Sequence, residues 1–153
     1  MQIVNAVTLW HLEEIRSLFS EYAASLNFNL CFQNFSEELA HLPGAYAPPR
    51  GCLLLARVNN YPAGCIALRP LAENQCELKR LYVRPAFRGL GLGERLVKTL
   101  MTIAQEIGYG KMFLDTVGEM KKAQALYKAL GFVDTKPYYY NPIPDARFMA
   151  RDL

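Results

Sequence analysis

Apolar residues recur at Leu9, Leu12, Ile15, Leu18, Phe19, Tyr22 and Leu26, the spacing of one helix face, and Thr8 stands where an N-cap is needed. Glu13, Glu14, Arg16 and Ser20 fall mostly off that stripe. A short strand over 2–6 precedes this helix. Ser36, followed by Glu37 and Glu38, opens a shorter second helix that Pro43-Gly44 ends, and Pro48-Pro49-Arg50-Gly51 reads as a loop. Residues 51–58 and 61–69 are rich in Leu, Val, Ile and Cys, with Asn59-Asn60 between them. Asn tolerates positive φ, so the pair predicts a two-residue hairpin turn. Pro62 is admissible at the start of the second strand, and Pro70 is expected to close it. A turn through 72–75 leads into a strand over 76–83. There Leu78, Arg80 and Tyr82 alternate with Glu77, Lys79, Leu81 and Val83, and Pro85 stops the strand.

Leu96, Leu100, Ile103, Ala104 and Ile107 then repeat at helical spacing, predicting a helix over 92–107 with Gly108 as its C-terminal stop. A strand over 111–117, a helix over 120–130 capped by Gly131 and a strand near 132–135 follow. A Pro- and Tyr-rich loop at 137–144 leads to a closing strand over 147–152. Strand 76–83, helix 92–107 and strand 111–117 form one βαβ unit, hence two parallel strands with a right-handed crossover. The fold class expected is α+β with a mixed sheet flanked by helices, as one domain over 1–153.

Composition narrows the function. A chain of 153 residues with 52% hydrophobic content has enough apolar surface for its own core and is not disordered. The net charge of +3 is too small and scattered to point to nucleic acid. The longest apolar run, Cys52 to Ala56, is strand length and far short of the ~20 residues of a membrane span. No basic segment precedes an apolar stretch at the N-terminus, so no signal peptide is expected and the expected compartment is the cytoplasm. Cys31, Cys52, Cys65 and Cys76 lack C-x-x-C spacing and read as buried, reduced thiols. With His11 and His41 far apart, no metal site is expected.

The stretch that carries chemistry is Arg88-Gly89-Leu90-Gly91-Leu92-Gly93-Glu94, between a strand and an amphipathic helix. Glycines at alternate positions clear side chains from where a ligand approaches backbone N–H groups. The helix N-terminus aims unpaired donors and partial positive charge at the same point, and Arg88 adds a full charge. This is an anion cradle suited to phosphate or pyrophosphate, the plainer alternative being a turn that eases packing. The dinucleotide fingerprint G-x-G-x-x-G fails at Glu94, and no G-x-x-x-x-G-K-[ST] string exists.

Arg88 to Gly93 does fit R-x-x-G-x-G, and here the sequence resembles the GNAT N-acetyltransferase superfamily, whose motif has the form [QR]-x-x-G-x-[GA]. Upstream, Glu77 to Val83 is similar to the family's central strand. Downstream, Ala123-Gln124-Ala125-Leu126-Tyr127-Lys128-Ala129-Leu130-Gly131-Phe132 is similar to its A-x-x-L-Y-x-x-x-G-F segment. The resemblance implies the GNAT fold and acetyl-CoA as co-substrate. It implies pantetheine contacts along the backbone of Leu81, Tyr82 and Val83, and a pyrophosphate on Gly89, Leu90, Gly91, Leu92, Gly93 and Glu94 with Arg88 at its edge. Ala123 and Tyr127 would complete the donor site. Where many members carry Asn three residues before that Ala, this chain has Met120, and the adenine end has no recognisable motif.

Acetyl transfer to an amine needs a neutral amine, a held carbonyl and a proton for the leaving thiolate. Tyr127 matches the family's general acid; the alternative is one more apolar-face residue beside Ala123 and Leu130. Glu77, eleven residues before Arg88, is the candidate base, with Lys79, Leu81 and Val83 expected on its face; the alternative is a strand-end carboxylate, solvated or binding the substrate ammonium. Tyr138, Tyr139, Tyr140 and Asn141 would wall the acceptor site, or form an aromatic edge or dimer contact. Arg69 and Arg80 are candidates for an acceptor carboxylate, and Asp115 and Thr116 for orienting the acceptor. The function expected is direct, ternary-complex transfer of acetyl from acetyl-CoA to a primary amine of a small molecule or peptide. The alternatives are a catalytically silent CoA-binding module and a longer acyl donor. No nucleic-acid or membrane partner is expected, and by analogy with the family a homodimer is possible.

Overall fold

In a computed structural model of the chain, Cys52 to Ala56 are buried at every position because helices cover both faces of the strand that carries them. The structure describes the backbone of residues 1–153 and all side chains except those of Cys31 and Phe32, so the expectation for the Cys31 thiol lies outside the described residues. The strands are β1 (Gln2–Asn5), β2 (Cys52–Val58), β3 (Tyr61–Ala72), β4 (Gln75–Val83), β5 (Lys111–Thr116), β6 (Val133–Asp134) and β7 (Arg147–Asp152). They form a seven-stranded sheet in the order β1-β2-β3-β4-β5-β7-β6. Neighbours run antiparallel except β4 and β5, the parallel pair expected from the βαβ pattern. The α+β mixed sheet is therefore observed.

Four helices cover the sheet: α1 (Leu9–Ser25), α2 (Phe35–Ala40), α3 (Leu92–Ile107) and α4 (Lys121–Ala129). On one face α3 buries Leu92, Leu96, Val97, Leu100 and Ala104 against Leu54, Ile66, Leu68, Leu78, Met112 and Leu114, joined by Tyr127 of α4. On the other, α1 buries Leu12, Ile15, Leu18 and Phe19 against Leu53, Leu55, Cys65 and Ala67. Thr8 Oγ1 accepts from His11 N at 3.1 Å, the cap the sequence predicts. Leu9, expected on the apolar stripe, is 85% exposed, because the first turn of α1 lies off the core. Cys52, Cys65 and Cys76 are buried thiols, and burial pushes Cys52 up to about 11 and Cys76 up to about 12. No helix among the described residues is long and apolar enough to cross a membrane.

Asn59 and Asn60 take φ of 50° and 68°, the paired positive values of a tight hairpin turn, and join β2 to β3. Pro70 does not close β3. It pairs with Cys76 at a register irregularity, and the strand runs on to Ala72. The second helix begins one residue before Ser36, with Asn34 at its N-cap in the left-handed region.

The largest departure from the sequence pattern is a bulge in β4. Ala67 pairs with Lys79 and Cys65 with Tyr82, so β4 carries one more residue than β3 opposite, and Arg80 has φ of 60°. Cys76 and Leu78 face the α3 core before the bulge, and Leu81 and Val83 face it after, while Tyr82 joins the α1 core. Leu81 and Val83 therefore do not share a face with Glu77 and Lys79, contrary to the simple alternation. Arg80 is fixed by Glu38 of α2, whose Oε2 accepts from Nε and Oε1 from Nη2, both at 2.9 Å. Just before the bulge, after Glu77, β4 and β5 part. Their pairing covers Gln75 to Lys111, Cys76 to Met112 and Glu77 to Phe113. β7 meanwhile follows β5 along its full length, to Thr116 opposite Arg147.

Leu100→Ala, at a fully buried position of α3, is expected to lower stability by about 2–5 kcal/mol, read as a fall in the urea midpoint at constant m-value. Glu38→Ala strands the Arg80 guanidinium in the interior and is expected to cost about 3 kcal/mol in the same measurement, with a larger loss than Glu73→Ala on the surface.

Candidate active site

The parting of β4 and β5 leaves the β5-facing edge of residues 78–83 without a ladder partner, and a cleft opens there. Leu78 to Leu81 line one side and Asp115, Thr116 and Val117 the other. Tyr127 and Ala123 of α4 close one end, and Tyr22, Phe28, Leu30 and Gln33 form a wall from the α1 side. Thr116 Oγ1 contacts Met120 Sδ at 3.6 Å, so the methionine found in place of the family's asparagine packs onto the cleft floor.

At the start of α3, Gly89 and Gly91 have φ of 83° and 77°. A Cβ at either would meet nothing within 4 Å, so the left-handed backbone is what requires glycine there. Gly91 is the N-cap and supplies no side-chain acceptor, which leaves the first-turn N–H groups open to an anion. Leu92 is buried in the core and Leu90 is 60% exposed, so neither side chain closes the cradle. Glu94 pairs with Lys98 at 3.2 Å on the exposed side of the helix. Arg88 donates from Nε to the Val83 carbonyl at 2.9 Å and lies 5.9 Å from the centre of the Tyr82 ring, tying the cradle to the end of β4.

Tyr127 is buried against Phe132, their rings 5.7 Å apart and edge-on. Gln124, one turn earlier, donates to the Val117 carbonyl and accepts from Arg147 Nη1 at 3.3 Å, which pins α4 to the end of β5. Burial holds the Tyr127 hydroxyl well above the ordinary phenol range, and Tyr22 and Asp115 add to the effect. Tyr22 is itself pushed up to about 12 by burial. Both phenols thus keep their protons at neutral pH.

Polar side chains gather on the α1 side of the parted strands. Asp115 Oδ2 accepts from the Tyr139 hydroxyl and from Asn141 Nδ2 at 2.9 Å. Gln33 Nε2 donates to the Tyr139 oxygen at 3.2 Å, and its Oε1 accepts from Lys79 at 3.0 Å and Arg80 at 2.6 Å. Burial, with the charge on Asp115 second, raises the Tyr139 hydroxyl above the phenol range. Asp115, Thr116, Tyr139 and Asn141 are therefore brought together, whereas Tyr140 is 80% exposed and stands outside. Glu77 is fully buried and does not line the cleft. Arg69 Nε donates to its Oε1 at 2.6 Å and the Tyr138 hydroxyl to its Oε2 at 2.5 Å. Arg69 and Arg80, candidates for an acceptor carboxylate, are already matched by Glu77 and Glu38. Lys79, Gln33 and Tyr22 also line the cleft, although the sequence pattern marks none of them as a site residue: Lys79 sits among other charged positions of β4, and Tyr22 belongs to the apolar stripe of α1.

The GNAT acetyltransferase family model matches residues 12–132. An uncharacterised N-acetyltransferase of Schizosaccharomyces pombe is 42% identical, the match covering 93% of this chain and 88% of that protein. Another, from Dictyostelium discoideum, is 31% identical over 86% of this chain and 89% of its own length. Among solved structures, an acetyltransferase of Streptococcus agalactiae superposes with a TM-score of 0.82 at 23% identity, covering 99% of this chain and 98% of that one. The PaiA N-acetyltransferase of Thermoplasma acidophilum, in complex with coenzyme A, superposes over the whole of both chains with a TM-score of 0.76 at 18% identity. Matched over most of its length by the family model and by a relative of 42% identity, the chain belongs to the GNAT family of acetyltransferases.

Proposed function

We propose that the protein is an acetyl-CoA-dependent N-acetyltransferase that transfers acetyl directly to a primary amine within a ternary complex. The observation that carries this reading is the coincidence of three features at the parted strands. These are an unpaired β4 edge, a glycine-opened α3 N-terminus and a buried, protonated Tyr127 in the cleft.

The donor site fits its ligand in chemical terms. Backbone groups of Leu81, Tyr82 and Val83 offer hydrogen bonds to an amide-bearing arm. The N–H groups from Gly89 to Glu94 offer donors to a pyrophosphate, with the Arg88 charge beside them. Ala123 borders the cleft beside Tyr127. Acetyl-CoA supplies an activated acetyl thioester whose carbonyl carbon the amine attacks. Tyr127 holds its proton ready for the departing sulfur, and its apolar surroundings keep that proton from solvent.

On the acceptor side, Asp115 is the carboxylate that reaches the cleft, Tyr139 and Asn141 hold its position, and Thr116 lines the cleft beside it. An acceptor ammonium is drawn to Asp115, which is in place to take up the proton that must leave before attack. Glu77, with both oxygens engaged by Arg69 and Tyr138 and outside the cleft lining, is not the base in this reading.

Tyr127→Phe is expected to lower kcat by about 100-fold or more while KM for acetyl-CoA changes little, measured as thiol release with a responsive acceptor. Unchanged kcat would remove the acid assignment, and CoA binding without thiol release from any acceptor would mean a silent binding module. Gly91→Val forces a β-branched residue into the left-handed region and is expected to weaken CoA binding by about 10-fold, measured by isothermal titration.

A further inference from the structure

The charges around the cleft are not equally matched. Arg80 has Glu38 at 2.9 Å and Arg69 has Glu77 at 2.6 Å. Lys79 and Asp115 are the loose pair, with 3.8 Å between Nζ and Oδ1, beyond hydrogen-bond distance. Their side chains are only 6% and 10% exposed, and both line the cleft beside Tyr127. Lys79 Nζ has three donors, of which one is used within the chain, toward Gln33 Oε1 at 3.0 Å. Asp115 has both inward hydrogen bonds on Oδ2, so Oδ1 accepts none among the described residues. A buried ammonium with spare donors and a buried carboxylate with a spare acceptor thus face the same space.

We infer that the acceptor is a free α-amino acid, held head-on by Lys79 through its carboxylate and by Asp115 through its amine. This rests on the N-acetyltransferase reading above and names the substrate class of that same site. The 3.8 Å separation is compatible with an α-amino acid bridging the two groups. Standard bond lengths separate the amine nitrogen of an α-amino acid from a carboxylate oxygen by ~2.7 Å. Two charge-assisted hydrogen bonds of ~2.8 Å then complete a four-atom ring with the 3.8 Å gap between Lys79 and Asp115. A primary amine lacking the carboxylate leaves Lys79 unanswered, and a polyamine brings further positive charge toward Lys79 and Arg80. A protein lysine or peptide N-terminus carries no carboxylate beside its amine. Burial pulls the Lys79 ammonium below the ordinary lysine value, and a bound carboxylate supplies the countercharge that offsets this. Tyr22, Phe28 and Leu30 on the facing wall suit an apolar side chain.

The test compares matched pairs, L-phenylalanine with phenethylamine and L-leucine with isoamylamine, in thiol release with acetyl-CoA. In parallel, each is titrated calorimetrically into the protein saturated with CoA, which needs no turnover. The amino acids are expected to exceed their decarboxylated partners by about 10–100-fold in kcat/KM and in affinity, as the loss of a charged hydrogen bond at a buried partner implies. In Lys79→Met the preference is expected to collapse to within about threefold, mainly through KM, and Lys79→Arg is expected to retain part of it. Preferential binding of the amino acids without thiol release would sustain this inference and sink the catalytic reading. Equal or weaker binding and turnover of the amino acids in the unaltered protein, or binding of neither partner, would overturn the inference, whether or not the Lys79 variants fold.

Discussion

The bidentate pairing of Arg80 with Glu38 holds the one left-handed residue inside the central strand, and the geometry of the cleft follows from it. A left-handed conformation costs a non-glycine residue roughly 1–2 kcal/mol, and a buried guanidinium needs its charge matched. Here a single carboxylate from α2 stands against both costs. With the extra residue taken up at Arg80, the second half of β4 turns Leu81 and Val83 into the α3 core, along the stretch where its outer edge, free from Leu78 onward, has no ladder partner. In a regular sheet, that edge would be consumed by β5. The site is thus backbone withheld from a ladder, set beside a helix whose first turn is also left open.

The same cleft illustrates how burial sorts proton donors from charged groups. Hydroxyls of Tyr22, Tyr127, Tyr138 and Tyr139 all stay protonated because desolvation penalises the phenolate, with nearby carboxylates adding to it. Two of those hydroxyls donate to the neighbouring carboxylates, Tyr139 to Asp115 and Tyr138 to Glu77. The result is a site in which protonated phenols stand a short way from carboxyl side chains.

Much of this could be read from the chain where local chemistry decides structure. Asn59-Asn60 announces a turn because positive φ is cheap for asparagine. The α3 stripe of Leu96, Leu100 and Ala104 announces a helix because one face is apolar, and the glycines before it announce an anion cradle because side chains are missing there. What stayed hidden is what depends on partners distant in sequence. No glycine marks the bulge, since Arg80 enters the left-handed region only with Glu38 in place. Strict alternation therefore misplaced Leu81 and Val83, and Pro70 proved tolerable within β3 because an irregularity receives it. The sequence makes Glu77 a candidate base because nothing local to it shows that Arg69 and Tyr138, from other elements, engage both of its oxygens. Tyr140 looked equivalent to Tyr138 and Tyr139, but the direction of the loop that carries them was not encoded in a Tyr-Tyr-Tyr string.

The sheet also divides the molecule by origin of function. The glycine cradle and Tyr127 grow from α3 and α4, whose buried residues make the larger core on one face. Gln33, Tyr22 and the 138–141 loop approach from the opposite face, where α1 and α2 rest on a separate core. Apart from Glu38 of α2, which holds Arg80, the cleft-facing side chains on that second face can therefore be exchanged without disturbing the α3 core behind the donor site. A lineage built this way is free to change what it modifies while keeping what it modifies with, and the boundary between the inherited half and the negotiable half is the plane of the sheet.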